Sequence, residues 1–160
     1  MKLLFVCMGN ICRSPLAEGI FLHLAKERGM LERFEVDSAG IGDWHVGHAP
    51  DPRSYAVALQ HGIELVCRAR QVESPEDFEN FDLLLAMDRQ NYRDLISLSP
   101  PEHHRKIKLM RSFDPEGDSN SEVPDPYYGG PKGFDHVYEM LHRSCTKLLD
   151  ELEQDSGHSS

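Results

Sequence analysis

No apolar run in this chain is long enough to cross a membrane. The longest, Leu3 to Met8, covers one short strand, whereas a spanning helix needs about 20 apolar residues. A secretory leader is not legible either. Met1-Lys2 leads into that run, but Gly-Asn-Ile-Cys-Arg-Ser follows instead of a small-residue cleavage site. The expected compartment is therefore cytoplasmic. Positive charge is scarce, with a formal net charge of −10 and no basic patch to offset it. That balance argues against nucleic acid or a membrane surface as the main partner, but not against a small anion held in a locally positive pocket. Cysteine is too sparse for a disulfide scaffold. Of the four, Cys7 and Cys12 share one tight loop while Cys67 and Cys145 stand alone, a pattern of a reducing compartment with one redox-capable pair. Internal repeats and a second hydrophobic unit are also missing. One domain over residues 1–152 is expected, with 153–160 a frayed polar tail that has almost nothing to bury.

What the chain does contain is an alternation of strand and helix. Lys2 to Val6 reads as a buried strand, and Leu16, Ile20, Phe21, Leu24 and Ala25 recur at helical spacing after Ser14-Pro15, with Ser14 the expected cap. Further strands are expected at Phe34–Ser38, Phe81–Ala86 and Lys106–Met110. Helices are expected at Arg53–Gln60, after Asp88, and from Phe134 to Leu152. Ser112 to Gly133 is rich in Asp, Glu, Gly, Ser and Pro and reads as a long loop. Four strands separated by helices call for an α/β fold: a doubly wound, four-stranded parallel sheet with helices on both faces. Ligands of such sheets sit beyond the carboxyl ends of the strands, which places Cys7, Ser38, Asp88 and Asp125 on one rim.

The most specific feature is Cys7-Met8-Gly9-Asn10-Ile11-Cys12-Arg13-Ser14 at a strand-to-helix turn. Five residues between a thiol and a guanidinium can wrap their amides around a tetrahedral dianion. Met8, Gly9, Asn10, Ile11, Cys12 and Arg13 are thus the expected phosphate-binding loop. The helix amino end and Arg13 favour negative charge on Cys7, and Arg13 offers a planar fork to two phosphoryl oxygens. Gly9 is expected to take a backbone angle closed to other residues, Asn10 to adopt a left-handed conformation or to brace the loop with its amide, and Ser14 to donate to the thiolate. An acid must protonate the leaving oxygen, and Asp125, between Pro124 and Pro126, is the candidate. Asp114, Glu116 and Asp118 read as a solvated face. Trp44, with Tyr127 or Tyr128 and with Met8 and Ile11, would wall a slot for a flat aryl group. His45, His48, His103 and His104 have no spacing that couples them to the cysteines, so no metal is expected.

These residues resemble the low-molecular-weight protein-tyrosine phosphatases. The likeness runs to about Leu152 and rests on Phe-Val-Cys-Met-Gly-Asn-Ile-Cys-Arg-Ser-Pro, Asp37-Ser38-Ala39-Gly40, Trp44-His45-Val46-Gly47, Asp51-Pro52-Arg53-Ser54, Ala69-Arg70-Gln71, Met87-Asp88 and Asp125-Pro126-Tyr127-Tyr128. The resemblance implies hydrolysis of aryl phosphate monoesters, phosphotyrosine in proteins or peptides, with inorganic phosphate as product and no cofactor. It implies Cys7 as the nucleophile that becomes a phosphocysteine, Arg13 as the phosphoryl clamp and Asp125 as acid and then base. Asn10, Ser14 and Ser38 match the network that shapes the loop, and Cys12 the partner of a reversible, protective disulfide with Cys7. Trp44 and Tyr127 match the aryl entrance. Many members carry a histidine where this chain has Cys67. Nothing in the chain demands a partner subunit, so a monomer is expected. The alternatives are an arsenate reductase using the same loop and a catalytically silent phosphoprotein-binding module. The first lacks its usual distal cysteine pair, and the second would have lost Cys7 or Asp125.

Overall fold

The computed structural model describes residues 1–126 and 131–158. Four parallel strands, β1 (Lys2–Cys7), β2 (Glu35–Gly40), β3 (Leu83–Ala86) and β4 (Ile107–Leu109), form one sheet in the order β2-β1-β3-β4. The helices are α1 (Arg13–Glu27), α2 (Pro52–Gln60), α3 (Glu76–Asn80), α4 (Arg89–Leu98) and α5 (Pro131–His158), with short 3₁₀ turns between them. This is the expected doubly wound architecture.

β1 shows why both faces are covered. Side chains of a strand alternate between faces. Leu3, Phe5 and Cys7 join the core formed with α1, α2 and α5, whereas Leu4 and Val6 join the core on the side of α3 and α4. Cys7 thus points to the side from which α1 descends. β2 runs two residues beyond the expected Ser38, because Cys7 pairs in register with Gly40. A Cβ on Gly40 would stand 3.0 Å from the Met8 carbonyl oxygen, so only glycine lets β2 continue against the loop.

Two other expectations are corrected. α1 starts at Arg13, and Ser14 is a buried residue of its first turn rather than its cap; Cys12 stands at the cap position without a side-chain bond. The Ser14 hydroxyl is drawn to Cys7 instead. Asp114 is buried, not solvated: it accepts from Arg111 Nε at 2.9 Å, Arg143 Nε at 3.0 Å and the Glu116 amide at 2.9 Å. Glu116 and Asp118 are exposed. The segment after β4 is thereby pinned to α5 and folds as a 3₁₀ turn (Met110–Phe113) and tight turns rather than an open loop. α5 continues past Leu152 to His158, with Arg28 of the α1 cap reaching Asp150 at 2.6 Å and Glu153 at 3.3 Å.

Burial disfavours the Asp114 carboxylate, but the bonds from Arg143, Glu116 and Arg111 outweigh it and lower its pKa. A depressed acid stabilises the fold above its unfolded pKa and loses that contribution on acidification. D114N should therefore cost about 1–3 kcal/mol at pH 7, with the deficit shrinking below about pH 4; urea unfolding at both pH values reads this.

Candidate active site

Cys7 ends β1 with 2% of its surface exposed. Its Sγ lies 3.0 Å from Ser14 Oγ and receives the Asn10 amide at 3.3 Å. The direction of the Ser14 bond follows from its neighbours. The Arg70 amide can only donate, so at 2.9 Å it fixes Asn10 Oδ1 as acceptor and Nδ2 as donor; Nδ2 then donates to Ser14 Oγ at 2.8 Å. The Ser14 proton is left for a Cys7 thiolate. Arg70 is itself fixed. Its carbonyl accepts from Gly40 at 2.8 Å, and its guanidinium spans Asp37 at 2.9 Å and Asp77 at 2.9 Å. Arg70 belongs to the Ala69-Arg70-Gln71 motif, and no local feature of the sequence points to this role.

The loop geometry differs from expectation at Gly9, which is not in the left-handed region; Asn10 occupies it, as expected, with φ 58°. Gly9 is needed for closeness instead, since a Cβ there would meet the His45 ring at 3.0 Å. The Cys7 and Met8 carbonyls are turned outward to the Ile41 and Gly42 amides. Among the described residues, the amides of Gly9, Ile11 and Cys12 donate to no protein group. With the open first turn of α1, they form a donor-rich floor.

Arg13 is 97% enclosed, being 3% exposed. Its Nη1 donates to Asp88 Oδ2 at 2.7 Å and to the Val123 carbonyl at 3.0 Å, and Nη2 stands 3.9 Å from Asp125. Burial works against the charge, but Cys7, Asp88 and Asp125 outweigh it and raise the pKa. Asp88 serves twice, because its other oxygen caps α4 through the Asn91 amide at 2.7 Å. The Asp125 segment is stitched to the same strand end: the Val123 amide donates to the Met87 carbonyl at 2.7 Å and the Arg89 amide to Glu122 at 2.7 Å.

Together Cys7, Met8, Gly9, Ile11, Cys12, Arg13, Trp44, His45 and Asp125 line a cleft of about 300 Å³. Asn10 and Ser14 lie beneath it, buried. Trp44 is 67% exposed, with its ring laid over Gly42. Tyr127 and Tyr128 lie outside the described residues. Ser38 is buried away from the cleft, beside Glu18 and Cys67. No well-formed hydrogen bond reaches its Oγ, though its hydroxyl is near enough to favour both neighbours' charged forms. Asp88 was placed on the rim from its strand end, without its role toward Arg13; Arg70 and His45 were marked only by their presence in the resembling motifs.

The family model described as low molecular weight phosphotyrosine protein phosphatase matches residues 2–158. The chain belongs to that family. A low molecular weight protein-tyrosine-phosphatase of Streptomyces coelicolor is 42% identical over 162 residues, covering 99% of this chain and 98% of its own. The low molecular weight phosphotyrosine protein phosphatase of Sus scrofa is 40% identical over 153 residues, 94% of this chain and 95% of its own. Among solved structures, a protein tyrosine phosphatase from Entamoeba histolytica matches with a TM-score of 0.92 and 41% identity, over 98% of this chain and 99% of that one. The protein is a cysteine-dependent phosphotyrosine phosphatase.

One feature of this phosphatase lies behind the loop. Glu18 carries an oxygen with no hydrogen-bond partner, and burial pushes its pKa up to about 7; Ser38 and Arg70 pull it down and Asp37 pushes it further up. Cys67 stands beside it, its thiol raised to about 11 by burial and then by Glu18.

Two outcomes are expected here. D88N keeps an oxygen for the α4 cap but removes the charge opposite Arg13. It should lower kcat about 10- to 100-fold and weaken inhibition by inorganic phosphate, both readable in steady-state assays. E18Q should gain stability relative to wild type as pH rises from 5 to 8, by up to about 3 kcal/mol. The sign follows because a buried acid with a raised pKa binds its proton more tightly folded than unfolded, so wild type loses stability over that window. Parallel urea titrations of the two proteins at pH 5 and pH 8 measure it.

Proposed function

We propose that this chain hydrolyses phosphotyrosine in proteins and peptides by two in-line displacements at phosphorus, with Cys7, Arg13 and Asp125 as the chemical residues. The observation that carries the assignment is the convergence of the Cys7 thiol, the buried Arg13 guanidinium and the Asp125 carboxylate on a single cleft of about 300 Å³. The phosphoryl group sits on the free amides of the loop from Met8 to Arg13. Nη1 of Arg13 is held by Asp88 and Val123, which leaves Nε and Nη2 to grip two phosphoryl oxygens. The Cys7 thiolate attacks phosphorus, the P–O bond to the phenol breaks, and Asp125 in its acid form gives its proton to the departing oxygen. A phosphocysteine remains. Asp125, now a carboxylate, takes a proton from water as that water attacks phosphorus. The S–P bond breaks and inorganic phosphate leaves. The thiolate that returns is received by Ser14 and the Asn10 amide. No cofactor or metal enters this scheme.

Apolar Met8 and Ile11 with Trp44 favour an aryl ester at the mouth. Only a long flat side chain brings phosphorus to the floor. Tyr127 and Tyr128 belong to the same proposed entrance, and Ser38 to the support of the loop through its position beside Glu18. The reading also includes a reversible disulfide between Cys7 and Cys12. The Cys12 thiol is pushed up to about 12 by burial, then by Asp51 and Cys7, so Cys7 is the sulfur that reacts first. A single catalytic domain over 1–152, acting as a monomer in the cytoplasm without nucleic acid or membrane, completes the proposal. Four free cysteines and no helix long and apolar enough to cross a membrane, among the described residues, are in keeping with it.

The test is steady-state hydrolysis of a phosphotyrosine peptide by reduced wild type, C7S and D125A, with phosphoserine and phosphoarginine peptides alongside; one matched structure is that of a Drosophila arginine phosphatase. Wild type should act on phosphotyrosine alone, C7S on nothing, and D125A should lose about 10²- to 10⁴-fold in kcat while phosphate still inhibits. Undiminished turnover of the tyrosine ester by D125A would remove Asp125 from the mechanism.

A further inference from the structure

A second groove, of about 380 Å³, opens on the other side of the segments that hold Arg13. Its walls include Arg89, Tyr92 and Arg93 of α4, Lys108 of β4, and Ser112 and Asn120 of the following turns. Positions 89, 92 and 93 are one, four and five along α4, so they share a helix face. Three cations on one groove stand out in a chain of net charge −10. Their acidic neighbours are already engaged elsewhere or only partly used. Glu122 pairs with Arg89 at 3.5 Å and also accepts its amide at 2.7 Å. Asp118 accepts from the Asn120 amide at 2.8 Å and from Ser121 at 3.2 Å, and Asp94 accepts from Gln90 at 2.9 Å. Arg93 donates to the neutral Gln90 at 3.0 Å. Among the described residues neither Arg93 nor Lys108 is in an ion pair, and both are exposed.

The groove is joined to the catalytic cleft through shared walls. Arg89 follows Asp88, whose carboxylate holds Arg13. Glu122, paired with Arg89, precedes Val123, whose carbonyl holds the same guanidinium, and the chain then reaches Asp125 at the cleft mouth. A polypeptide leaving the cleft over this double wall meets Arg89 first, then Arg93 and Lys108.

We propose that the groove of Arg89, Arg93 and Lys108 is a docking subsite for Asp and Glu side chains flanking the phosphotyrosine of the substrate polypeptide. The inference rests on the phosphatase reading and adds a source of substrate choice to it. Charge at such a rim acts chiefly on encounter and on KM and is screened by salt. The hydroxyl of Tyr92 and the side-chain amide of Asn120 supply neutral donors for carboxylate oxygens.

The experiment compares three substrates: para-nitrophenyl phosphate, a phosphotyrosine peptide with neutral flanks, and the same peptide with Asp and Glu at two to six positions on either side. Wild type and R93Q/K108Q are assayed at low and high salt; both side chains are exposed, so the replacements leave the fold intact. Wild type should prefer the acidic peptide about 5- to 10-fold in kcat/KM, mainly through KM, and 0.5 M salt should erase the preference. R93Q/K108Q should lose the preference while keeping its rate on the aryl phosphate and the neutral peptide within about twofold. Equal treatment of the two peptides by wild type, or a preference that survives in R93Q/K108Q, overturns the proposal. Failure of wild type on para-nitrophenyl phosphate would strike the phosphatase reading instead. The groove is then judged by ¹H–¹⁵N shifts on adding the unphosphorylated acidic peptide: salt-sensitive shifts around α4 and β4 that vanish in R93Q/K108Q support it, and their absence in wild type overturns it.

Discussion

The structure turns on one buried positive charge. Arg13 is almost wholly removed from water, and a guanidinium in that position is tolerable only if its charge and donors are met. Asp88 and the Val123 carbonyl meet one end of it, at 2.7 Å and 3.0 Å. Those two partners come from the exit of β3 and from the segment that carries Asp125, while Arg13 itself opens α1. Satisfying this one cation therefore fixes three pieces of chain to each other. It also leaves the other end of the guanidinium beside the thiol, where a second anion completes the compensation. In the proposed mechanism the phosphoryl group is the anion received there.

The sheet makes such a meeting possible because all four strands are parallel. Their carboxyl ends lie on one edge, and the chain leaves each strand there toward a helix. β1 gives Cys7 and the loop, β2 gives Gly40 and the approach to Arg70, and β3 gives Asp88. Residues far apart in sequence need only short excursions to converge. The same arrangement explains why the segment from Glu122 to Asp125 needs no regular structure of its own. Its hydrogen bonds to Met87, Arg89 and Arg111 make it an appendage of the β3 exit and of the turn after β4.

How much of this was legible follows from where the determinants sit. The loop from Cys7 to Ser14 could be read directly, because its thiol, its amides and its cation are contiguous and lie between two recognisable elements. The four strands were legible as apolar runs, with ends misplaced by one or two residues where pairing rather than hydrophobicity sets the boundary, as at Gly40. Ser14 was read both as a cap and as a donor to the thiolate; Ser-Pro before a helical pattern is a sound cap signal, and the fold keeps only the bond to Cys7. Asp114 was misread because its partner Arg143 is 29 residues away, so the loop composition spoke for solvent while the tertiary contact decided for burial. Asp88 and Arg13 are 75 residues apart, and no local pattern ties them together.

Cys67, where the resemblance leads one to expect a histidine, lies outside the bonds that hold Cys7. The bonds that orient the thiolate run from the Arg70 amide through Asn10 to Ser14, and the first of them comes from the backbone. A main-chain donor is indifferent to the side chain three residues earlier, so losing an imidazole at position 67 does not unseat Asn10. What it does remove is a group able to carry positive charge or accept a proton beside Glu18. With a thiol there instead, nothing at that position compensates the carboxylate, and Arg70 is left as the cation acting on it while Asp37 opposes. The consequence is a division of labour within a few residues: the layer touching sulfur is held by backbone and short polar side chains, while the layer behind it carries an acid poised near neutrality. Variation at position 67 therefore acts on the protonation of Glu18 rather than on the bonds that hold Cys7.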